Sequence, residues 1–241
     1  MNNKYMDSDL KLLKEIYPNS YEEQLNKLER GYPIQYLIGY VNFFGYKVLV
    51  NEKVLIPRFE TEYLVNDLIK LIRKYNLVPN IIDICTGSGC ISIALSRELN
   101  VRIDALDISK QAIELAKKSA IINNADINFI NADIKKFNSQ KQYNIIISNP
   151  PYVKEDEIVS PEVKYEPSIA LYAKEDGLEY YKVILEKSIN ILEDKNIIAF
   201  EIGANQGKDV KNIAQHYYPN AEIIIKKDLN KIDRYVYILN I

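Results

Sequence analysis

The chain has 241 residues, 47% of them apolar and 27% charged, with 31 Lys and Arg against 33 Asp and Glu. That is one large globular domain, or one domain with a small appendage, and its net charge of -2 argues against a protein that grips a nucleic-acid backbone. Two cysteines and a single histidine leave no disulfide framework and no Cys/His zinc cluster to build.

Residues 7 to 30 read as two short helices, "DSDLKLLKEIY" and "SYEEQLNKLER", split by Pro18-Asn19, with Ser20 as N-cap and Glu23 three residues on. Residues 34 to 56 are rich in β-branched and aromatic residues and contain Gly39 and Gly45, which predicts a β-hairpin. "PRFETEYLVNDLIKLIRKYN" has a helical apolar period through Leu64, Val65, Leu68, Ile69, Leu71 and Ile72. From residue 80 short apolar runs alternate with helices expected at 90–99, 109–123, 176–193 and 205–217. Two last strands, "AEIIIKKD" and "RYVYILNI", follow with no helix between them. This order predicts an α/β fold with a seven-stranded, mostly parallel sheet wrapped on both faces and ending in an antiparallel hairpin. The layout resembles the class I (Rossmann-like) methyltransferase fold.

The chemistry gathers at strand ends. The first strand runs into "DICTGSGC", where Gly87 and Gly89 let the backbone approach a ligand, or simply make the turn. Asp107 closes the second strand, where a carboxylate can take both ribose hydroxyls or cap the helix opening at Ser109. Ser92 stands where a dinucleotide fingerprint wants a third glycine. The phosphate-free S-adenosyl-L-methionine therefore fits better than a dinucleotide. Asp133 can accept from an adenine amine and Ile134 can cover the ring, unless Asp133 is an ordinary loop residue. The lone His216, in "AQHYYPN", has no nucleophile motif beside it and reads as structural or solvent-facing.

The fourth strand, "YNIIIS", ends in Asn149-Pro150-Pro151-Tyr152. Each proline forces the residue before it into an extended conformation, and neither has an N–H. What remains are two fixed acceptors, the Asn149 side-chain oxygen and the Pro150 carbonyl, which suit the two hydrogens of a planar –NH₂ group. Tyr152 adds a flat surface. The tetrapeptide resembles the signature of methyltransferases acting on planar amines, either of bases in nucleic acid or of glutamine in protein. Taken with "IPRFETE", "YEPSIALYAKEDGLEYY", "AFEIGANQG" and "KDLNKIDRYV", it makes residues from about 31 to 241 resemble the HemK/PrmC family.

That resemblance implies methylation of the glutamine in the Gly-Gly-Gln motif of peptide chain release factors, with S-adenosyl-L-homocysteine as product. It implies a donor loop at Cys85, Thr86, Gly87, Ser88 and Gly89, a ribose carboxylate at Asp107, and adenine contacts at Asp133 and Ile134, with Asn149 beside the donor. Asn149, Pro150, Pro151 and Tyr152 form the substrate clamp, and Arg58, Thr61 and Glu62 fall near the methionine end. The alternative, an exocyclic-amine methyltransferase of nucleic acid, would want a more basic surface. The expected division is a helical segment 1–32 as a reduced release-factor-binding unit, a hairpin linker 33–56 and a methyltransferase domain 57–241. A cytoplasmic monomer is expected, without direct nucleic-acid, membrane or metal partners. Two departures stand out: Cys85 occupies a position that is usually glycine in the family, and about thirty residues precede "GYPIQYL" where the family has several helices.

Overall fold

A computed structural model describes residues 7–241. The first six residues of the expected segment 1–32 lie outside the described residues. Helices α1 (Asp7–Ile16) and α2 (Tyr21–Glu29) are followed by a short α3 (Ile34–Ile38). The three share a small apolar cluster of Leu13, Leu28, Ile34 and Leu37. Ser20 sits at the N-cap of α2, but its side chain accepts no capping bond.

The hairpin is shorter than the sequence suggests. Only β1 (Tyr40–Phe43) and β2 (Tyr46–Leu49) pair, joined by Phe44 and Gly45, both at positive φ as a two-residue primed turn requires. Residues 34–38 are helical instead, because Pro33 leads into them and Gly39, at φ 84°, ends them in a left-handed cap. Residues 50–56 leave the ladder; Val50, Val54 and Ile56 bury against Tyr36, whose hydroxyl donates to the Val54 carbonyl at 2.7 Å.

Next come α4 (Phe59–Lys74), β3 (Ile81–Ile84), α5 (Cys90–Leu99), β4 (Ile103–Asp107), α6 (Lys110–Ile122), β5 (Ile127–Asn131) and β6 (Tyr143–Ser148). After β6 the chain forms a two-stranded parallel patch from β7 (Val153–Lys154) and β8 (Tyr172–Ala173), then a single turn α7 (Lys174–Gly177) and α8 (Glu179–Ile191). The expected helix 176–193 thus begins at Glu179, because Glu175, Asp176 and Gly177 all have positive φ. Finally β9 (Leu192–Glu201), α9 (Gly207–Tyr217), β10 (Glu222–Lys227) and β11 (Asp233–Asn240) complete the fold.

The seven-stranded sheet has the order β10-β11-β9-β6-β3-β4-β5, with only β11 antiparallel to its neighbours. Chain order reverses between β3 and β6, and in open α/β sheets ligands bind beyond the carboxyl ends of the strands at that switch. Ile145, Ile146 and Ile147 of β6 are fully buried, as a strand covered on both faces must be. Each contributes roughly 1.5–3 kcal/mol of burial energy. That rigid centre holds Asn149, the next residue but one after Ile147, in place. No described helix is long and apolar enough to cross a membrane.

Candidate active site

At the end of β3 the chain turns through Cys85, Gly87 and Gly89, all at positive φ. Thr86 N–H donates to the Leu106 carbonyl at 3.0 Å, tying the loop to β4. Thr86 Oγ1 and Ser92 Oγ each donate to Asp83 Oδ2 at 2.6 Å beneath it. Burial pushes the Asp83 carboxyl up to about 7, although the two hydroxyls pull it down. Asp107 takes Gly87 N–H on one oxygen and Ser109 N–H on the other, both at 2.8 Å. It therefore caps the turn before α6 while bordering the cleft, and burial raises its carboxyl against the pull of those backbone bonds.

The cleft above this loop is open to solvent at its mouth. Cys85, Thr86, Gly87, Ser88, Asp107, Asp133, Ile134, Asn149, Pro151, Arg58 and Thr61 all border it. Gly89 does not; a Cβ there would lie 3.0 Å from Ala116 Cβ, so this glycine serves the packing of α5 on α6. Glu62 is also elsewhere. Its Oε1 accepts the Phe44 N–H at 2.8 Å and so anchors the hairpin turn, because one step along α4 from Thr61 rotates the side chain away from the cleft. Burial pushes the Cys85 thiol well up, which leaves it a weak nucleophile.

A second cleft, open to solvent, is bordered by Asn149, Pro150, Tyr152, Ile158, Val159 and Val163. Asn149 and Arg58 border both clefts. Arg58 Nη2 pairs with Glu166 Oε1 at 2.6 Å, and the Glu166 side chain is only 1% exposed. This pair, buried on the Glu166 side and one-third exposed at Arg58, pins the segment before β8 to the start of α4.

Several residues that the sequence does not single out support the tetrapeptide. Glu201, at the end of β9, accepts from Thr61 Oγ1 at 2.6 Å and from the Tyr152 hydroxyl at 3.4 Å. Burial raises its carboxyl, while the Thr61 bond and the Arg234 charge lower it. Asn149 Nδ2 donates to Thr61 Oγ1 at 3.4 Å. Gln206 Nε2 donates to the Tyr152 carbonyl at 3.0 Å, and its Oε1 accepts Gly203 N–H at 2.9 Å. Gly177 packs against the same carbonyl so closely that an added Cβ would overlap it and lie 2.5 Å from Gln206 Nε2. A glutamate inside the apolar run "IIAFEIG" was the available signal, since unpaired charges are rarely buried. His216 is exposed and sits edge-on to Tyr217.

A family model described as methyltransferase small domain matches residues 60–164. The release factor glutamine methyltransferase of Bacillus cereus is 39% identical over 233 residues, covering 93% of this chain and 82% of that protein. The chain belongs to the release factor glutamine methyltransferase family. The family's Lactococcus lactis member is 38% identical, with 98% of this chain and 85% of that one covered. Among solved structures, the hMettl16 catalytic domain bound to an RNA hairpin superposes with a TM-score of 0.64 at 15% identity, over 100% of this chain and 94% of that one. A Thermus thermophilus 16S rRNA methyltransferase in complex with AdoMet and guanosine gives 0.59 at 9% identity, over 83% and 49%. At such identities these two likenesses show the class I methyltransferase fold alone, as the strand order predicts.

Proposed function

We propose that the protein transfers a methyl group from S-adenosyl-L-methionine to the side-chain amide nitrogen of the glutamine in the Gly-Gly-Gln motif of peptide chain release factors. The observation that carries this reading is the meeting of two clefts at Asn149, one floored by the glycine loop and Asp107, the other walled by Pro150 and Tyr152.

The first cleft suits the methyl donor. Asp107 and Asp133 offer carboxylates for ribose hydroxyls and an adenine amine, and Ile134 offers an apolar face. A Cβ built on Gly87 would meet nothing within 4 Å, so the backbone there is open to a ligand. When bound, S-adenosyl-L-methionine supplies an electrophilic methyl group and leaves as S-adenosyl-L-homocysteine. The protein's part is to place the nitrogen. Asn149 Oδ1 and the Pro150 carbonyl accept its two hydrogens, so the lone pair faces the first cleft. Tyr152 supports the plane of the amide. No histidine is required, because the nitrogen becomes strongly acidic once methylated and gives up its proton. The helices α1 and α2 with their following turn are the proposed further contact for the release factor, beside the walls of the second cleft.

The experiment is direct: incubate the protein with a release factor and isotopically labelled S-adenosyl-L-methionine, then analyse the Gly-Gly-Gln peptide by mass spectrometry. One labelled methyl group on the glutamine is expected. An unlabelled glutamine, or label on another residue, would overturn the reading.

A further inference from the structure

The Thr61 hydroxyl stands between Asn149 and Glu201, 3.4 Å from Asn149 Nδ2 and 2.6 Å from Glu201 Oε2. A hydroxyl has one hydrogen to give, and an ionised carboxylate can only accept. The shorter distance is that of a hydroxyl donating to a carboxylate. The Thr61 hydrogen is thus committed to Glu201, and Thr61 faces Asn149 with lone pairs alone. Only the –NH₂ end of the Asn149 side chain can meet them, so Oδ1 is turned toward the substrate. Glu201 Oε1 meanwhile stands 3.4 Å from the Tyr152 hydroxyl as its acceptor.

We propose that Glu201 is a positioning residue for methyl transfer: through Thr61 it fixes which end of the Asn149 amide faces the substrate, and its second oxygen is the acceptor facing the Tyr152 hydroxyl. This rests on the glutamine-methylation reading, since an acceptor at position 149 matters only if the substrate group there is an –NH₂. The two ends of an asparagine amide have nearly the same shape, so packing alone does not choose between them. The reversed amide would set N–H groups against the N–H groups of the substrate. Glu201→Gln leaves one acceptor oxygen and one –NH₂ where two acceptor oxygens stood, so either Thr61 or Tyr152 must turn its hydroxyl to face an N–H.

Three variants of the full chain test this: Glu201→Gln, Thr61→Val and Thr61→Ser. Each is assayed with a release factor for kcat and KM, by calorimetry for donor Kd, and by melting temperature. Glu201→Gln and Thr61→Val are expected to lower kcat about tenfold or more, with donor Kd within about twofold for Glu201→Gln, and Thr61→Ser to keep kcat within about threefold of wild type. Thr61→Val turning over as fast as Thr61→Ser, or Glu201→Gln keeping the wild-type kcat, would overturn the proposal. Should Glu201→Gln fail to fold, the Val and Ser pair decides by itself. A wild-type protein that leaves the glutamine unmethylated would instead overturn the underlying reading, and would be seen before any variant is compared.

Discussion

The proposed donor cleft and the proposed acceptor cleft share Asn149 and Arg58 but are built by different means. The donor cleft is made from strand ends and the loops directly after them. Its main contacts, such as Asp107 on the Gly87 N–H, join neighbouring strands of the sheet. The acceptor side is made from side chains that reach across the fold to one tetrapeptide. Thr61 comes from α4, Glu201 from β9, Gln206 from the loop before α9 and Gly177 from α7, and none is adjacent in sequence to Asn149. Topology alone thus makes the first cleft, whereas the surroundings of Asn149 depend on a long-range network. Donor affinity and turnover should therefore be separable by mutation.

The strongest attempt to break that separation is Asn149→Ala. It should lower kcat by on the order of a hundredfold, about 3 kcal/mol, and leave donor affinity largely intact. A variant retaining more than about a tenth of the wild-type rate, or losing donor affinity in proportion, would merge the two regions. Gly177→Ala comes next. Its Cβ has to displace the Tyr152 carbonyl or Gln206, so a loss of about 2 kcal/mol in stability is expected, with a further fall in kcat but not in donor affinity. Denaturant unfolding together with steady-state kinetics checks both halves; a variant matching the wild type would show that the clamp needs no support from behind. Asp107→Ala should act on the other side of the comparison, weakening donor binding by about 1.5–2 kcal/mol through loss of a charged acceptor. Calorimetry with unchanged affinity would remove Asp107 from the ribose.

Cys85→Gly has the smallest expected effect and the opposite sign. Cys85 has φ 62°, a left-handed conformation that costs a residue with a Cβ roughly 1–2 kcal/mol and glycine almost nothing. Glycine also has more freedom to lose on folding, so a net gain of about 0.5 kcal/mol in stability is expected, with kcat unchanged. A melting temperature that falls would mean that the packing of the thiol outweighs its backbone strain.

The same contrast explains what could be read from the sequence. Periodicity placed α5 and α6, the central strands and the terminal hairpin because those elements bury continuous or evenly spaced apolar residues. The glycine loop and Asp107 follow once the strands are placed, since both lie at strand ends, where Gly87 and Asp107 border the cleft. A motif does not say which way a helix turns, so the Glu62 contact with the hairpin is not legible in it, and β-branched residues between a proline and a left-handed glycine, as at 34–38, can close a helical turn. Glu201 and Gln206 lay in plain view within "AFEIGANQG", but their meaning depends on partners 140 and 54 positions away.

The place of β9 in the sheet has a consequence for how the chain is made. β6 lies between β3 and β9, and β9 alone covers one of its edges. About fifty residues separate Asn149 from Glu201. At translation rates of about 5–20 residues per second that is on the order of 3 to 10 s. Throughout that interval the isoleucine-rich β6 stands in the growing chain with its backbone edge unpaired, the situation in which strands recruit foreign partners. The late arrival that gives the Asn149 amide its direction also leaves the newborn sheet open at its central strand.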